Sequence, residues 1–452
     1  MIRKNIIVNE NTSLTKAVLL MNKNSINGVF IENRKKQVVG ILMDSDIRKY
    51  LLVKTSIKNI KVKNIMKKNY YFIYEKNKID KEKELIKSNK ILIPILYQNK
   101  KLKDYIHIQD IFKKKDDLKI NKIKKILVIG GFGYIGSILV ETLIRNNFEV
   151  NVLDKNLYGN FIDKNILRNK NLQIFIGDCF DRSKLRLALN GVSDVIHLGE
   201  IVGDPAVNVN KKYSIKNNFV NTDLLINECI KHNIRKFIFA SSCSVYGDSL
   251  KLCKENSKPN PVSLYAECKL ACEKQILSFS KIKSFQPIIL RISTVHGLSN
   301  RLRFDLAANK FTLYALKNKL IKLFGAESWR PFIHVKDVSN IFYSFLISKK
   351  SNLHNQIYNL GFDDENYKII DIIKILQKKL NFKVFNDTEF VDKRNYFVSF
   401  KKLHRKILIK KQYTLRKSIY EMIKYFNNKK IRISRDIYHN DKAIIKILNK
   451  IK

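Results

Sequence analysis

The sequence predicts an α/β protein: a doubly wound parallel sheet with a smaller C-terminal α/β lobe, preceded by a separate α+β module. Three observations carry that expectation. From Lys125 onward, short apolar strands alternate with helix-length segments, the pattern of a parallel sheet covered on both faces. The first of these strands runs directly into a glycine-rich turn that opens a helix. A basic, polar stretch from Lys113 to Lys125 separates this region from one of different rhythm that weakly repeats itself. At 452 residues, 45% apolar, the chain is long enough for two or three domains with a sizeable core. The expected division is 1–118, 119–427 (with the smaller lobe mainly 297–427), and a basic tail over 428–452.

In the first region, one copy of the repeat has a helical segment (Leu14 to Asn22) and an apolar strand (Gly28 to Ile31). Val38-Val39-Gly40-Ile41-Leu42 then leads into Asp44-Ser45-Asp46-Ile47. The second copy has Lys81 to Ser88, the strand Ile91 to Leu96, and Leu102 to Ile108 leading into Gln109-Asp110-Ile111. Asp46 and Asp110 fall in equivalent places. This region resembles a tandem pair of CBS domains. In that family a Gly-apolar-x-Ser/Thr-x-x-Asp turn holds the ribose of an adenine nucleotide, so the resemblance implies Asp46 and Asp110 as nucleotide contacts. Met43 and His107 stand where the hydroxyl residue is usual. A packing or dimerisation module without a ligand is therefore the competing reading.

The strands expected in the second region are Ile126–Ile129, Glu149–Leu153, Leu172–Ile176, Val195–Leu198, Lys236–Ala240 and Pro287–Ile292. Each is followed by a helix-length segment, which makes the connections crossovers and the strands parallel. A mixed region after Gly297 reads as the smaller lobe. From Arg432 the chain is basic and loosely amphipathic and reads as a solvated tail.

The net charge of +47 would ordinarily point to nucleic acid or a membrane surface. Here the lysines are spread along the whole chain with abundant Asn and Ile, and no basic patch interleaved with aromatics stands out. A compositional bias explains the charge, and neither a nucleic acid nor a membrane is expected as partner. Six cysteines (Cys179, Cys229, Cys243, Cys253, Cys268, Cys272) form no Cys-x-x-Cys pair and have no histidine cluster nearby. Cys268 and Cys272 lie one helical turn apart, but reduced packing thiols are the simpler reading, and no metal site is expected. With no apolar run long enough to span a bilayer and no signal-like N-terminus, a soluble cytoplasmic protein is expected.

Gly130-Gly131-Phe132-Gly133-Tyr134-Ile135-Gly136 follows the first strand. Glycines at Gly130, Gly133 and Gly136 allow a tight turn and let the backbone approach a pyrophosphate at a helix N-terminus, where free N–H groups and the helix dipole favour anions. A plain glycine turn is the alternative, but the strand–turn–helix context weighs against it. Asp154 ends the second strand, where a carboxylate accepts from the adenosine ribose hydroxyls and repels a 2′-phosphate; NAD is favoured over NADP, with Lys155 beside it leaving some room. Asp178, in Gly177-Asp178-Cys179, ends the third strand and can reach the adenine amine; an ordinary turn residue is the alternative.

Ala240-Ser241-Ser242-Cys243-Ser244-Val245-Tyr246-Gly247 ends a later strand, and Tyr265-Ala266-Glu267-Cys268-Lys269 follows. Tyr265 and Lys269, four apart, share a helical face. A lysine ammonium and a nicotinamide cation beside a phenol lower its pKa, and a tyrosinate can then take a hydroxyl proton while hydride leaves the same carbon. Ser242 would hold the substrate oxygen. Tyr-x-x-x-Lys alone is common by chance; with the glycine turn and the strand-end serine it is not.

With these motifs in place, residues 124–427 resemble the extended short-chain dehydrogenase/reductase family, in its nucleotide-sugar epimerase/dehydratase branch, and the resemblance implies a Rossmann fold. His197-Leu198-Gly199 resembles the segment lining the cofactor, and Asn218 to Thr222 the Asn-x-x-x-Thr that opens the next helix. Trp329-Arg330-Pro331-Phe332-Ile333-His334-Val335-Lys336-Asp337-Val338 resembles an Arg-x-Phe-Ile-His-Val-x-Asp-Val whose arginine faces the nucleotide phosphates. Arg394 resembles a second such arginine. The resemblance thus implies Gly130, Gly133, Tyr134, Ile135, Gly136, Asp154, Asp178, Cys179, Leu198, Gly199, Asn218 and Lys269 at the cofactor. It implies Ser242, Tyr265 and Lys269 in catalysis, Ser242, Cys243, Thr294, Arg330 and Arg394 at the sugar nucleotide, and a homodimer.

Four positions depart from the family. Cys243 and Ser244 stand where dehydratases carry an acid pair or a glutamate, which disfavours a 4,6-dehydratase and a glutamate-dependent decarboxylase. Glu200 follows Gly199 where a small apolar residue is usual, and the sequence alone gives no reason for it. Thr294 replaces an asparagine. The expected function is a nucleotide-sugar 4-epimerase working through a 4-keto intermediate. A one-way dehydrogenase or ketoreductase with the same three residues, and an inert regulatory or scaffold protein, remain as alternatives.

Overall fold

The structure, a computed structural model, describes residues 6–23, 27–51, 60–75, 92–107, 124–220, 222–282, 284–386, 392–428 and 436–451. The chain divides into two units, Met1–Lys122 and Ile123–Lys452.

In the first unit the repeat is structural. Strand Ile7–Asn9 runs parallel to Gly28–Glu32, which pairs antiparallel with Val38–Met43. Ile73–Tyr74 runs parallel to Leu92–Leu96, which pairs antiparallel with Leu102–His107. The helix Leu14–Lys23 buries Leu14, Ala17 and Met21 against Val29, Ile31 and Leu42. Spacings of three and four residues put those side chains on one face. The second copy's expected helix and Asp110 lie outside the described residues.

The second unit holds a seven-stranded, all-parallel sheet. Its spatial order is Gln356–Leu360, Gln286–Ile292, Lys236–Ser242, Asp194–His197, Lys125–Ile129, Glu149–Asp154, Leu172–Ile176. The six expected strands are all present; Gln356–Leu360 is an addition whose polar first residue masks its apolar remainder. The helices Tyr134–Arg145 and Val335–Ile347 cover one face, and Arg182–Leu189, Thr222–Lys231 and Leu264–Ser278 the other. The strands read as nearly unbroken Val/Ile/Leu/Phe runs because both faces are dry. One buried lysine serves the frame: Lys236 Nζ donates to the carbonyls of Phe345, Leu346 and Ser348 at 2.9, 2.9 and 2.6 Å, satisfying the C-terminus of the helix Val335–Ile347.

The strand order reverses between Lys125–Ile129 and Asp194–His197. In an open α/β sheet the ligand crevice opens there, beyond the carboxyl ends of the strands. The smaller lobe is built from Thr294–His296 parallel to Trp329–His334, which pairs antiparallel with Asn366–Lys368, and from Leu320–Leu323 parallel to Lys383–Asn386. Its helices Ala307–Lys317, Ile369–Gln377 and Leu415–Asn428 share a core around Phe304, Phe332, Ile372 and Met422. No described helix is long and apolar enough to cross a membrane.

The expected solvated tail is corrected. Asn440–Ile451 is a helix that packs on the helix Asp204–Val209, with Ile444 fully buried among Ile201, Ala206 and Val207. Lys442 and Lys446 mark the outer face, while Ala443, Ile444, Ile447 and Leu448 form an apolar stripe with helical period.

Candidate active site

Strand Lys125–Ile129 ends at Gly130, which has φ +83, and a Cβ there would lie 2.7 Å from the backbone of Gly199. A Cβ on Gly136 would lie 2.1 Å from the Gly130 carbonyl oxygen. Only glycine fits at either position, so the turn and the segment after Asp194–His197 close on each other at the switch point. Gly133, the N-cap of the following helix, has no side chain to cap its first-turn N–H groups, as an anion site requires. Ile135 and Leu198 pack partly buried beside this turn, and Leu198 N donates to Ile129 O at 2.9 Å.

Asp154 sits at the tip of the second strand. Its Oδ2 accepts from Phe132 N at 3.0 Å and its Oδ1 from Asn156 N at 2.8 Å, so the carboxylate also shapes the glycine turn. Burial pushes its pKa up against the pull of those two amides. Lys155, the residue that left room for a 2′-phosphate, pairs with Asp178 Oδ2 at 2.8 Å and donates to Asn217 Oδ1. Its charge is already matched. Asn217 and Asn218 lie in a π-helical turn, Lys216–Val220. Asn218 grips both backbone groups of Ile201, accepting from N at 2.9 Å and donating to O at 2.7 Å.

Ser242, Tyr265 and Lys269 are brought together. Ser242 ends its strand, accepts from Ser244 N at 3.2 Å and Ser244 Oγ at 2.9 Å, and shares a hydrogen bond with Tyr265. Ser263 caps the helix Leu264–Ser278, so that Tyr265 and Lys269 fall on its sheet-facing side. Lys269 Nζ lies 5.9 Å from the centroid of the Tyr265 ring and 4.7 Å from that of Phe239. It donates to the Ala240 carbonyl and pairs with Glu200, whose side chain is 2% exposed. Burial pushes the Tyr265 phenol up, Lys269 pulls it down, Glu200 pushes it up again, and the Ser242 hydrogen bond and Arg303 pull it down. In the protein by itself burial wins, and the depressed tyrosine expected from the sequence is not found. Lys269, which burial would depress, stays above the ordinary lysine range because Glu200 favours the ammonium.

Two predicted contacts are corrected. The Cys243 thiol points into the core, donating to Arg291 O at 3.1 Å among Tyr246, Cys253 and Tyr396, so it does not face a substrate. The Cys179 side chain is buried in the core with Leu153, Leu185 and Leu189. Burial pushes both thiols up. Tyr134 is buried too, donating to Gly297 O at 2.5 Å and thereby tying the first helix to the smaller lobe.

Arg330 and Arg394 converge on one carboxylate. Arg330 Nη2 lies 3.0 Å from Asp392 Oδ2; Arg394 holds Asp392 through Nε at 2.9 Å and Nη2 at 2.8 Å, and reaches Asp204 Oδ2 at 2.9 Å. Thr294 lies one strand away, in register with Phe332. Sequence reasoning missed Asp204, Asp392 and a further pair: Arg301, stacked 3.6 Å from the Tyr158 centroid, and Arg303, held by Asp305 at 2.7 and 3.0 Å. The Arg-x-Arg-x-Asp run from Arg301 to Asp305 was the available signal. In the first unit, Asp46 is buried, accepts from Met43 N at 3.1 Å and pairs with Lys67 at 2.7 Å.

A doubly wound sheet with a glycine turn at its switch point, an acid on the next strand and a Ser/Tyr/Lys cluster across the crevice defines a dinucleotide-dependent oxidoreductase-type domain. The chain belongs to the NAD dependent epimerase/dehydratase family, whose model matches residues 126–361, and a CBS domain matches residues 1–53. It is 31% identical over 263 residues to a putative UDP-glucose 4-epimerase of Methanocaldococcus jannaschii, covering 55% of this chain and 81% of that protein. It is 28% identical over 292 residues to the dTDP-D-glucose 4,6-dehydratase of Dictyostelium discoideum, covering 60% of this chain and 64% of that protein. Among solved structures, UDP-glucuronic acid 4-epimerase from Bacillus cereus, in complex with UDP-glucuronic acid and NAD, superposes with a TM-score of 0.60 at 26% identity. That match covers 67% of this chain and 99% of that one. The protein is an NAD-dependent enzyme. The glycine cradle, its uncapped helix N-terminus and Asp154 suit a dinucleotide that ends in a ribose without a 2′-phosphate.

Proposed function

We propose that the protein is a nucleotide-sugar 4-epimerase. The observation that carries this reading is the convergence of Ser242, Tyr265 and Lys269 at the open end of the sheet, with no carboxylate at Cys243 or Ser244. Ser242 holds the 4-hydroxyl oxygen of the sugar. Tyr265 removes its proton and later returns one. Lys269 holds the nicotinamide ribose, and Asp154 the adenosine ribose. NAD, held there by these two residues and the glycine turn, would supply the hydride acceptor for C4 and the hydride donor for the opposite face of the 4-keto sugar. Arg330 and Arg394 supply guanidinium forks for the diphosphate, which has to compete with Asp392 and Asp204 for them.

Elimination of water, as a dehydratase requires, needs an acid for the leaving hydroxyl and a base for C5. Cys243 is turned into the core and Ser244 is spent on Ser242, so that chemistry has no donor there. The resemblance extends the proposal to a cytoplasmic homodimer. For the first unit it extends to an adenine nucleotide whose ribose would have to displace Lys67 from Asp46.

The test is turnover of UDP-glucose, UDP-glucuronic acid and UDP-N-acetylglucosamine, followed by NMR of the C4 configuration and by NADH absorbance. Inversion at C4 without net NADH is expected; stoichiometric NADH release would replace the epimerase with a dehydrogenase. Tyr265→Phe should cut turnover by about 10²–10⁴ while leaving NAD affinity intact. Retained turnover refutes the assignment.

A further inference from the structure

Glu200 is the feature the reading above does not use. It is a carboxylate with its side chain 2% exposed, on the loop after Asp194–His197, next to the glycine that closes on the nucleotide turn. Its Oε2 forms an ion pair with Lys269, and neither oxygen has a well-directed hydrogen-bond partner. A buried carboxylate is costly unless something uses its charge.

The ammonium has three N–H donors. One goes to the carbonyl of Ala240, at the end of the neighbouring strand, while the charge pairs with Glu200. Lys269 is thus held from two sides, by the ends of two different strands. Its charge is also largely matched before any substrate arrives.

We propose that Glu200 is a positioning residue: it fixes the Lys269 ammonium against the Ala240 carbonyl and, by offsetting that charge, sets the pH at which Tyr265 gives up its proton. The proposal deepens the epimerase reading and rests on it for the role of Tyr265. Among the described residues, the principal groups acting on the phenol are four. Lys269 comes from the same helix, Glu200 from the loop after Asp194–His197, Ser242 from its strand end, and Arg303 from the segment entering the smaller lobe. The helix Asn440–Ile451 brings only apolar Ile444, Ile447 and Leu448 to that cluster. Around Glu200 stand Lys269 and three neutral thiols, Cys179, Cys268 and Cys272. Of these charges, only Glu200 opposes ionisation of Tyr265 from within contact of Lys269. Removing it uncovers the ammonium and makes the tyrosinate easier to form.

The experiment titrates Tyr265 in the full-length protein by tyrosinate ultraviolet absorbance, as the difference between each variant and the same variant carrying Tyr265→Phe. Glu200→Gln should move the Tyr265 midpoint toward acid by about one pH unit, the effect of a unit charge a few ångströms away in a partly screened site. Glu200→Asp, which keeps a charge but draws it back from Nζ, should fall between Glu200→Gln and the parent. The acid limb of the kcat profile should move in the same order. If Glu200→Gln does not fold, Glu200→Asp alone decides by the same direction of shift. An unmoved midpoint in the variants that fold, or a shift toward alkali, overturns the proposal. NAD titration of the parent keeps the two readings apart: no NAD binding would overturn the functional reading, whereas an unmoved midpoint with normal NAD binding overturns only the role of Glu200.

Discussion

Acidification should unfold the second unit through three histidines held neutral in its interior. Burial pushes His197 down to about 3, with Lys269 adding, and pushes His296 down to about 3. Burial, His296, Lys336 and Lys417 push His334 down to about 2. The unfolded chain protonates each near 6.5, whereas the folded chain resists until far lower pH. Each neutral ring therefore contributes stability that is fully present above pH 6.5 and is lost as pH falls toward 3. The loss is about 1.4 kcal/mol per pH unit for each, or on the order of 6 kcal/mol for the three between pH 6.5 and 5. Asp337 acts in the opposite sense. Burial raises it to about 6, so its contribution grows as pH falls below that value and offsets roughly 1 kcal/mol of the loss. The remainder, on the order of 5 kcal/mol, is comparable with the whole stability of a domain. The assay is thermal unfolding followed by circular dichroism at pH 7.5 and 5, in parent and His334→Asn. His334 caps the helix Val335–Ile347 by accepting from Lys336 N at 3.2 Å, and Asn preserves that cap while removing the titration. The parent should lose most of its stability at pH 5, and His334→Asn about one third less. A midpoint independent of pH, or an undiminished fall in the variant, refutes the reasoning.

Two further outcomes follow from contacts already described. Gly136→Ala places a methyl against the Gly130 carbonyl and the Gly131 Cα, backbone atoms that cannot give way locally. It should weaken NAD binding by at least roughly 100-fold in a fluorescence titration, and unchanged affinity would remove the cradle from the account. Glu273→Gln breaks the buried pair with Arg291, in which Nη2 lies 2.7 Å from Oε2 and Nε 3.0 Å from Oε1. Urea denaturation should show a loss of about 3–5 kcal/mol, with Glu273→Met/Arg291→Met losing less than the single variant.

What could be read from the sequence was local in the chain. The glycine turn, the strand-end acid and Tyr-x-x-x-Lys are short patterns whose spacing fixes their own geometry, and the apolar strands announce themselves by having no polar face. Pairings across the sheet gave no such signal. Nothing near Glu200 in sequence foretells Lys269, and nothing near Asp204 foretells Arg394. Cys243 follows Ser242 directly, yet the strand ends at Ser242 and Cys243 opens a 3-10 turn that carries its thiol into the core. The charge of the segment from Arg432 suggests a solvated tail, whereas its apolar stripe decides where the helix Asn440–Ile451 lies.

That last helix has a bearing on how the enzyme comes into being. Domains form from the leading end as the ribosome feeds them out. The seven strands and the cradle for the dinucleotide are all encoded before residue 361, whereas the helix Asn440–Ile451, which shares an apolar cluster with Tyr265, follows them in the chain. A nascent chain can thus organise its nucleotide crevice well before the helix that packs beside Tyr265 has emerged, so the two parts of the site form as separate events.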